Sequence, residues 1–246
     1  MKVSIITSVF NNEKHIEDAI NSVLSQTYSN IEYIIIDGNS KDNTKKIIEK
    51  YLDKIDIFVS EPDKGIYDGL NKGILKATGD IIGFLHSDDI YYNNKVIEKV
   101  VKAFKKDIDG VYGDLVYIKD NKVIRYWKSG EFSIEKLKKG WMPPHPTLFL
   151  KKSIYEKYGL FDLNFKIAGD YDFILRILKN NINLKYIPEI LYKMRVGGAS
   201  NKSLKNILQK SNEDLKALYK NNIGGIDVLF RKNFSKITQF IKKESI

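Results

Sequence analysis

Through the first hundred residues, apolar β-branched runs alternate with helix-period stripes. Val3 to Phe10 reads as a buried strand. Ile16, Ala19, Ile20, Val23 and Leu24 then recur at i, i+3, i+4, i+7 and i+8, the apolar stripe of a helix. Ile31 to Ile36 is a second strand ending at Asp37, and Ser40 to Asp42 can cap a helix running to about Leu52. Ile55 to Ser60 is a third strand, ending at Glu61-Pro62-Asp63, and Ile66 to Ala77 is a helix broken by Gly79. Asp80 to Leu85 is a fourth strand, ending at Asp88-Asp89, and Val96 to Phe104 is another helix. This alternation predicts βαβ units: an α/β fold with a Rossmann-like, mainly parallel sheet flanked by helices.

In such a sheet the ligand sits outside the carboxyl ends of the strands. Asp37, Asp63, Asp88 and Asp89 fall there. Any one of them reads equally as a loop or cap residue. Together at one edge they repel each other unless a metal or polar ligand lies among them.

After residue 105 the pattern becomes mixed. Gly110 to Lys119 and Lys122 to Lys128 read as strands around Asp120-Asn121. Met142-Pro143-Pro144-His145-Pro146 is a rigid loop, Thr147 to Leu150 a short strand and Ser153 to Tyr158 a short helix. Gly169 to Lys179 is a helix, and Leu184 to Ile187 and Ile190 to Val196 are two further strands. Two helices broken near Gly224-Gly225 end the chain. The organisation expected is a catalytic domain over 1–200, with a nucleotide half to about 105 and an acceptor half after it, then a helical appendage over 201–246.

The chain has no cysteine, which excludes disulfides, thiolate metal sites and a cysteine nucleophile and suits a reducing compartment. The N-terminal apolar run stops at Asn11-Asn12 without a small-residue cleavage site, so it reads as a strand and not a signal peptide. No apolar stretch approaches the roughly 20 residues that span a bilayer. Dinucleotide, Walker A, G-x-S-x-G and H-E-x-x-H motifs are all absent. A phosphorylated ligand would therefore be held another way, and carboxylates with Mg²⁺ or Mn²⁺ offer one.

The net charge of +10 favours polyanions, or simply reflects a lysine-rich surface. From Lys205 onward eight lysines and Arg231 face four acids, with Ile226, Phe230, Phe234 and Phe240 interleaved. That segment is either an amphipathic device for an anionic membrane or a helix pair packed on the domain with its basic face in water. The expected location is the cytoplasm, with the first of these readings adding peripheral attachment to the inner face of the membrane.

Several blocks, in order, carry a family resemblance. They are Ser8-Val9-Phe10-Asn11-Asn12, Ile36-Asp37-Gly38-Asn39-Ser40-Lys41-Asp42-Asn43-Thr44, Asn71-Lys72-Gly73, the run from Gly79 to Asp89, and Gly169-Asp170-Tyr171-Asp172. Together they resemble family 2 glycosyltransferases over about residues 3 to 195. Glu61 to Asp68 is similar to the subgroup that builds bacterial surface polysaccharides. The resemblance implies a GT-A fold and inverting transfer from a nucleotide sugar, UDP-linked by expectation, to a glycan or lipid-linked acceptor. It also implies a divalent metal, Mn²⁺ or Mg²⁺.

Residue by residue, the resemblance makes Asp37 the acceptor of a nucleobase N–H. The Thr7 to Phe10 segment, Thr7 and Val9 foremost, would line the base and ribose, Asp63 would stand at the base or ribose edge, and Asp68 and Asn71 near the sugar or diphosphate. Ser87 belongs to the same donor-binding set. Asp88 is similar to the metal-binding acid of D-x-D and Asp89 to its neighbour, while Asp170 resembles the catalytic base. His86 stands where that motif has its first acid, and is either a diphosphate contact or a hydrogen-bonded strand-end residue. His145 is a metal ligand, an acceptor contact or a packed loop histidine. Arg176, four residues after Asp172, is spaced for a helix ion pair. Two other classes compete. A nucleotidylyltransferase would want a glycine-rich basic loop after the first strand. A nucleic-acid-binding protein would want a basic, aromatic platform where this chain gathers acids; no nucleic-acid partner is expected.

Overall fold

The computed structural model describes residues 1–197 and the backbone of 204–241, with side chains over 205–234 in that last part. One sheet runs through both halves of the chain in the order β3-β2-β1-β4-β8-β6-β9-β5, and β7 adds to β6. β1 (Val3–Val9), β2 (Ile31–Asp37), β3 (Ile57–Ser60) and β4 (Ile81–Phe84) are mutually parallel and connected by helices. These helices are α1 (Ile16–Leu24), α2 (Thr44–Glu49) and α3 (Ile66–Lys76), and the βαβ reading holds.

The second half is mixed, as its sequence reads. β5 (Ile90–Tyr91), α4 (Val96–Ala103), β6 (Gly110–Lys119), β7 (Lys122–Trp127), α5 (Ile134–Leu137), β8 (Phe149–Lys151), α6 (Lys152–Tyr158), α7 (Gly169–Leu178) and β9 (Leu184–Arg195) follow in order. β8 lies antiparallel between β4 and β6, joining the halves. β9 is one strand where two were expected. Its pairing with β6 slips by extra residues around Pro188, which has no N–H to donate, so the ladder bulges and continues. The helix after Asp42 stops at Glu49 and runs on to residue 54 as turns, shorter than expected.

The sheet has a core on each face. Successive residues of β1 and β2 point to opposite sides, so Ile6, Ile34 and Ile36 pack with α3 and α7, while Val3, Ile5, Val9 and Ile35 pack with α1 and α4. α7 is buried along almost its whole length because it is sandwiched between the sheet side and α8 (Leu204–Asn221).

The C-terminal helices are tied in by buried polar contacts. Asp172 of α7 is fully buried and meets Arg176 at 3.4 Å, Lys220 at 3.1 Å and Asn221 at 3.0 Å. α9 (Ile226–Ile241) turns back after Gly224, whose φ of +155° permits the sharp reversal. Its Lys232 is buried, 2.7 Å from Asp214 of α8 and 3.2 Å from the centre of the Tyr171 ring. Among the described residues, no helix is long and apolar enough to cross a membrane. Of the expected appendage, 201–203 and 242–246 lie outside the described residues, as do 198–200 of the preceding domain.

Candidate active site

β1 is flanked by β2 on one side and β4 on the other, and its connections leave in both directions. The carboxyl ends of β1 and β4 therefore form the point where strand order reverses, where open α/β sheets bind ligands. The register brings Val9 beside Asp37 and Asp37 beside Ser60, while Ile6 pairs with Phe84, two residues before His86.

On the β2 side the chain packs closely around two glycines. A side chain at Gly38 would approach Asp63 Oδ2 to 2.6 Å, and one at Gly69 would reach Ser8 Oγ at 2.2 Å, so both positions must stay bare. Asp63 Oδ1 accepts the Gly65 N–H at 2.9 Å, and its Oδ2 accepts no hydrogen bond from the described residues. Ser8 shares this side of the sheet with Ile6. Thr7 and Val9 point to the other side. Thr7 is fully buried and donates to the Leu85 carbonyl at 2.8 Å, so it ties β1 to the end of β4. Of the Thr7 to Phe10 segment, the two-residue period of the strand therefore puts Ser8 toward Gly69 and Asp63, and turns Thr7 and Val9 away from them.

Three other expected contacts are placed differently from a direct ligand contact. Asp37 is fully buried, and its carboxylate takes the Ser40 and Ser60 hydroxyls and the Ser40 N–H, so it shapes the 38–40 turn. Asn71 has both ends of its amide on the Phe161 backbone, at 2.9 and 3.0 Å, clasping α3 to the chain before α7. Asp89 is buried and accepts the Arg195 N–H at 2.8 Å and the Tyr192 hydroxyl. Burial, reinforced by Asp88, pushes its pKa well above the ordinary carboxylate range. It faces β9, and only Asp88 of the pair has a carboxylate that takes no hydrogen bond from the described residues. Asp68 accepts the Lys64 N–H at 2.9 Å and pairs with Lys72 at 3.8 Å.

The turn after β4 is held from two directions. His86 donates its N–H to the Tyr192 hydroxyl at 2.8 Å, and Asn12 donates to Ser87 Oγ at 2.9 Å. Arg195 donates to the Asp88 carbonyl at 2.9 Å while pairing with Asp18 at 2.7 Å. His86 Nδ1 is buried and has no hydrogen-bond partner among the described residues. Burial lowers the His86 pKa, against the opposing pull of Asp88 and Asp170.

Opposite this turn stands the start of α7. Asp170 is in the first turn, and the Tyr67 hydroxyl donates to its Oδ1 at 3.0 Å. Gly169 must be glycine here, because a Cβ would come within 2.9 Å of the Tyr67 ring. Burial pushes the Asp170 pKa up, but His145, Lys210, Lys232 and the Tyr67 hydrogen bond outweigh it and hold the group below its ordinary range. His145 lies 6.1 Å from His86, ring centre to ring centre, packed on Phe84 and Phe161 at 5.3 and 5.5 Å. Its Nε2 is buried without a hydrogen-bond partner among the described residues, and burial drives its pKa down to about 4. At neutral pH it is uncharged, so the charges then stabilising Asp170 are Lys210 and Lys232. His86, Asp88, His145 and Asp170, spread over 85 residues of sequence, thus face one another electrostatically.

Among the described residues no three His, Cys, Asp or Glu side chains gather into a closed metal cage. The half-buried Asp88 carboxylate beside His86 still fits a divalent ion that takes one carboxylate and completes its shell with phosphate oxygens and water.

The sequence reading did not pick out Tyr67, Arg195, Tyr192, Glu213, Lys210 or Lys232 as site residues.

The sequence model of glycosyl transferase family 2 matches residues 4–168. An uncharacterized glycosyltransferase of Rickettsia typhi is 35% identical over 80% of this chain, which spans 64% of that relative. The Escherichia coli UDP-Glc:alpha-D-GlcNAc-diphosphoundecaprenol beta-1,3-glucosyltransferase WfgD is 32% identical over 80% of this chain and 78% of its own length. Among solved structures, S. aureus TarS 1-349 in complex with UDP-GlcNAc superposes with a TM-score of 0.72 at 20% identity, covering 100% of this chain and 77% of that one. A mannosyltransferase from Pyrobaculum calidifontis in complex with GDP-Man and Mn²⁺ gives 0.70 at 16% identity over 95% of this chain and 69% of that one. These structures share the GT-A fold, and with the site at its switch point and more than half its length matched, the chain belongs to glycosyltransferase family 2.

Proposed function

We propose that this enzyme transfers a sugar from a UDP-linked donor, with inversion, to a lipid-linked glycan acceptor in surface polysaccharide synthesis. The observation that carries the reading is the meeting of Asp170 with the His86–Asp88 turn across the carboxyl ends of β1 and β4. The E. coli relative names a UDP-linked donor and a diphosphoundecaprenol-linked acceptor, which supports both substrate classes.

The sheet edge at Gly38, Gly69, Ser8 and Asp63 would meet the nucleoside, with the 38–40 turn organised by Asp37. Asp88 would hold a divalent metal, Mn²⁺ or Mg²⁺, which supplies Lewis-acid stabilisation to the departing diphosphate. Ser87 and His86 stand on the same turn, where His86 Nδ1 can reach a polar ligand atom. Asp170, ionised at neutral pH, accepts the proton of the acceptor hydroxyl as that oxygen attacks the anomeric carbon from the face opposite the leaving group. Neutral His145 beside it can hold the acceptor by a hydrogen bond.

The exposed faces of α8 and α9 support contact with an anionic membrane surface. Ile226, Phe230 and Phe234 recur every four residues on α9 and are 54%, 70% and 72% exposed, with Arg231 exposed among them. A lipid-linked acceptor would be met at such a surface.

The test is a donor panel of UDP-, GDP- and dTDP-sugars with a polyprenyl-diphosphate-linked N-acetylglucosamine acceptor, scored for nucleoside diphosphate release with Mn²⁺ or chelator. Metal-dependent release from a UDP-sugar that rises with acceptor is expected. Release from another nucleotide alone would replace the donor assignment, and acceptor-independent release would remove the acceptor.

A further inference from the structure

α7 carries Asp170 in its first turn yet begins without a side-chain cap of its own, since its N-cap residue is Ala168. The first N–H groups of a helix have no partner within it, and alanine has no oxygen to offer them or the turn before them. The run just before the helix is held from another helix. The N–H groups of Lys166, Ile167 and Ala168 converge on one carboxylate oxygen, Glu213 Oε2, at 3.0, 2.8 and 2.9 Å. Glu213 lies mid-way along α8 and is buried, and Gln209 one turn earlier donates to its Oε1 at 2.9 Å. Three N–H donors on one ionised oxygen make a strong, directional clamp.

The clamped segment is the one that delivers the base. Tyr67 touches it from the opposite side, with its hydroxyl 2.8 Å from the Ile167 carbonyl and 3.0 Å from Asp170 Oδ1. The peptide run 166–168 is therefore gripped between α8 and α3, and Asp170 follows two residues later.

We propose that Glu213 is a positioning residue for the transfer reaction: α8 supplies the carboxylate that holds residues 166–168, the run leading into α7, and so aims Asp170 at the acceptor hydroxyl. This rests on the reading of Asp170 as the base. A displacement of about 1 Å in a reacting group can cost on the order of 10²-fold in rate. Among the described residues, Glu213 and Gln209 make no hydrogen bond to Ser8, Asp63 or Asp88, so donor binding does not depend on the clamp.

Glu213→Ala, checked for native circular dichroism, should lower kcat by about 10- to 100-fold while the donor KM and UDP–Mn²⁺ affinity stay within a few-fold. Glu213→Gln keeps a neutral acceptor oxygen at the same reach and should recover part of the loss. A folded Glu213→Ala enzyme with wild-type kcat overturns the proposal. So does a parallel fall in donor affinity and kcat, the mark of general structural damage. If Glu213→Ala does not fold, Gln209→Ala decides: a several-fold kcat loss at unchanged donor KM supports the clamp, and wild-type kcat refutes it. Asp170→Asn is run alongside. If it retains transfer, the base assignment itself fails; if it loses transfer while Glu213→Ala does not, only the clamp fails.

Discussion

Tyr67 at the start of α3 and Asp170 at the start of α7 are joined by a 3.0 Å hydrogen bond, although 103 residues separate them. The donor favours the ionised carboxylate, so removing it raises the Asp170 pKa. Tyr67→Phe should therefore move the acid limb of the kcat–pH profile to higher pH. An acid limb that stays in place would show that Asp170 does not set it.

Asp88→Ala should abolish transfer and the Mn²⁺-dependent part of UDP binding. Without the ion, the diphosphate would face Asp170 uncompensated. Calorimetric titration with UDP, with and without Mn²⁺, checks this. Full turnover in excess chelator would remove the metal from the mechanism.

At the opposite end of the sheet, Glu32 is buried among Lys2, Ser4 and Thr78. Burial pushes its pKa up, but the Lys2 ammonium, the two hydroxyls and the Thr78 N–H outweigh it and bring it from 4.5 to about 2. The folded pKa lies below the unfolded one, so this stabilisation is complete above about pH 4.5 and is lost as pH falls toward 2. It amounts to about 3 kcal/mol at neutral pH. Glu32→Gln should lower the urea midpoint at pH 7 and flatten its decline between pH 4.5 and 2. Parallel midpoint curves for the two proteins would place the acid sensitivity elsewhere.

The stripe on α9 makes a separable prediction. Phe230→Ser with Phe234→Ser should weaken binding to phosphatidylglycerol vesicles by about tenfold or more, because each buried phenylalanine contributes about 1.5–3 kcal/mol. Wild-type binding should also fall with added salt. Deleting the helices is the wrong experiment, since Glu213, Lys220 and Lys232 on their inner faces serve α7. Equal binding by wild type and double variant would assign the stripe another role.

Much of this protein was legible one residue at a time. The apolar period of 2 in Val3–Val9 and Ile31–Asp37 and of 3.6 in α1 forced a parallel α/β layer, and strand-end acids marked the ligand edge. The Asp172–Arg176 pair, four residues apart on one helix, followed from helix geometry alone. The directions of neighbouring side chains did not follow, because adjacent acids in a turn look alike until their partners arrive. Asp88 and Asp89 differ only because β9 brings Arg195 and Tyr192 to the second of them. Asp37 and Asn71 are occupied by Ser60 and Phe161, from other elements. Local periodicity is a property of short segments, so the sequence by itself determined the layers and the edge that holds the site. The clamp of Glu213 on residues 166–168, the Tyr67–Asp170 bond and the neutral His145 depend on burial and on contacts between distant segments, and only tertiary packing decides those.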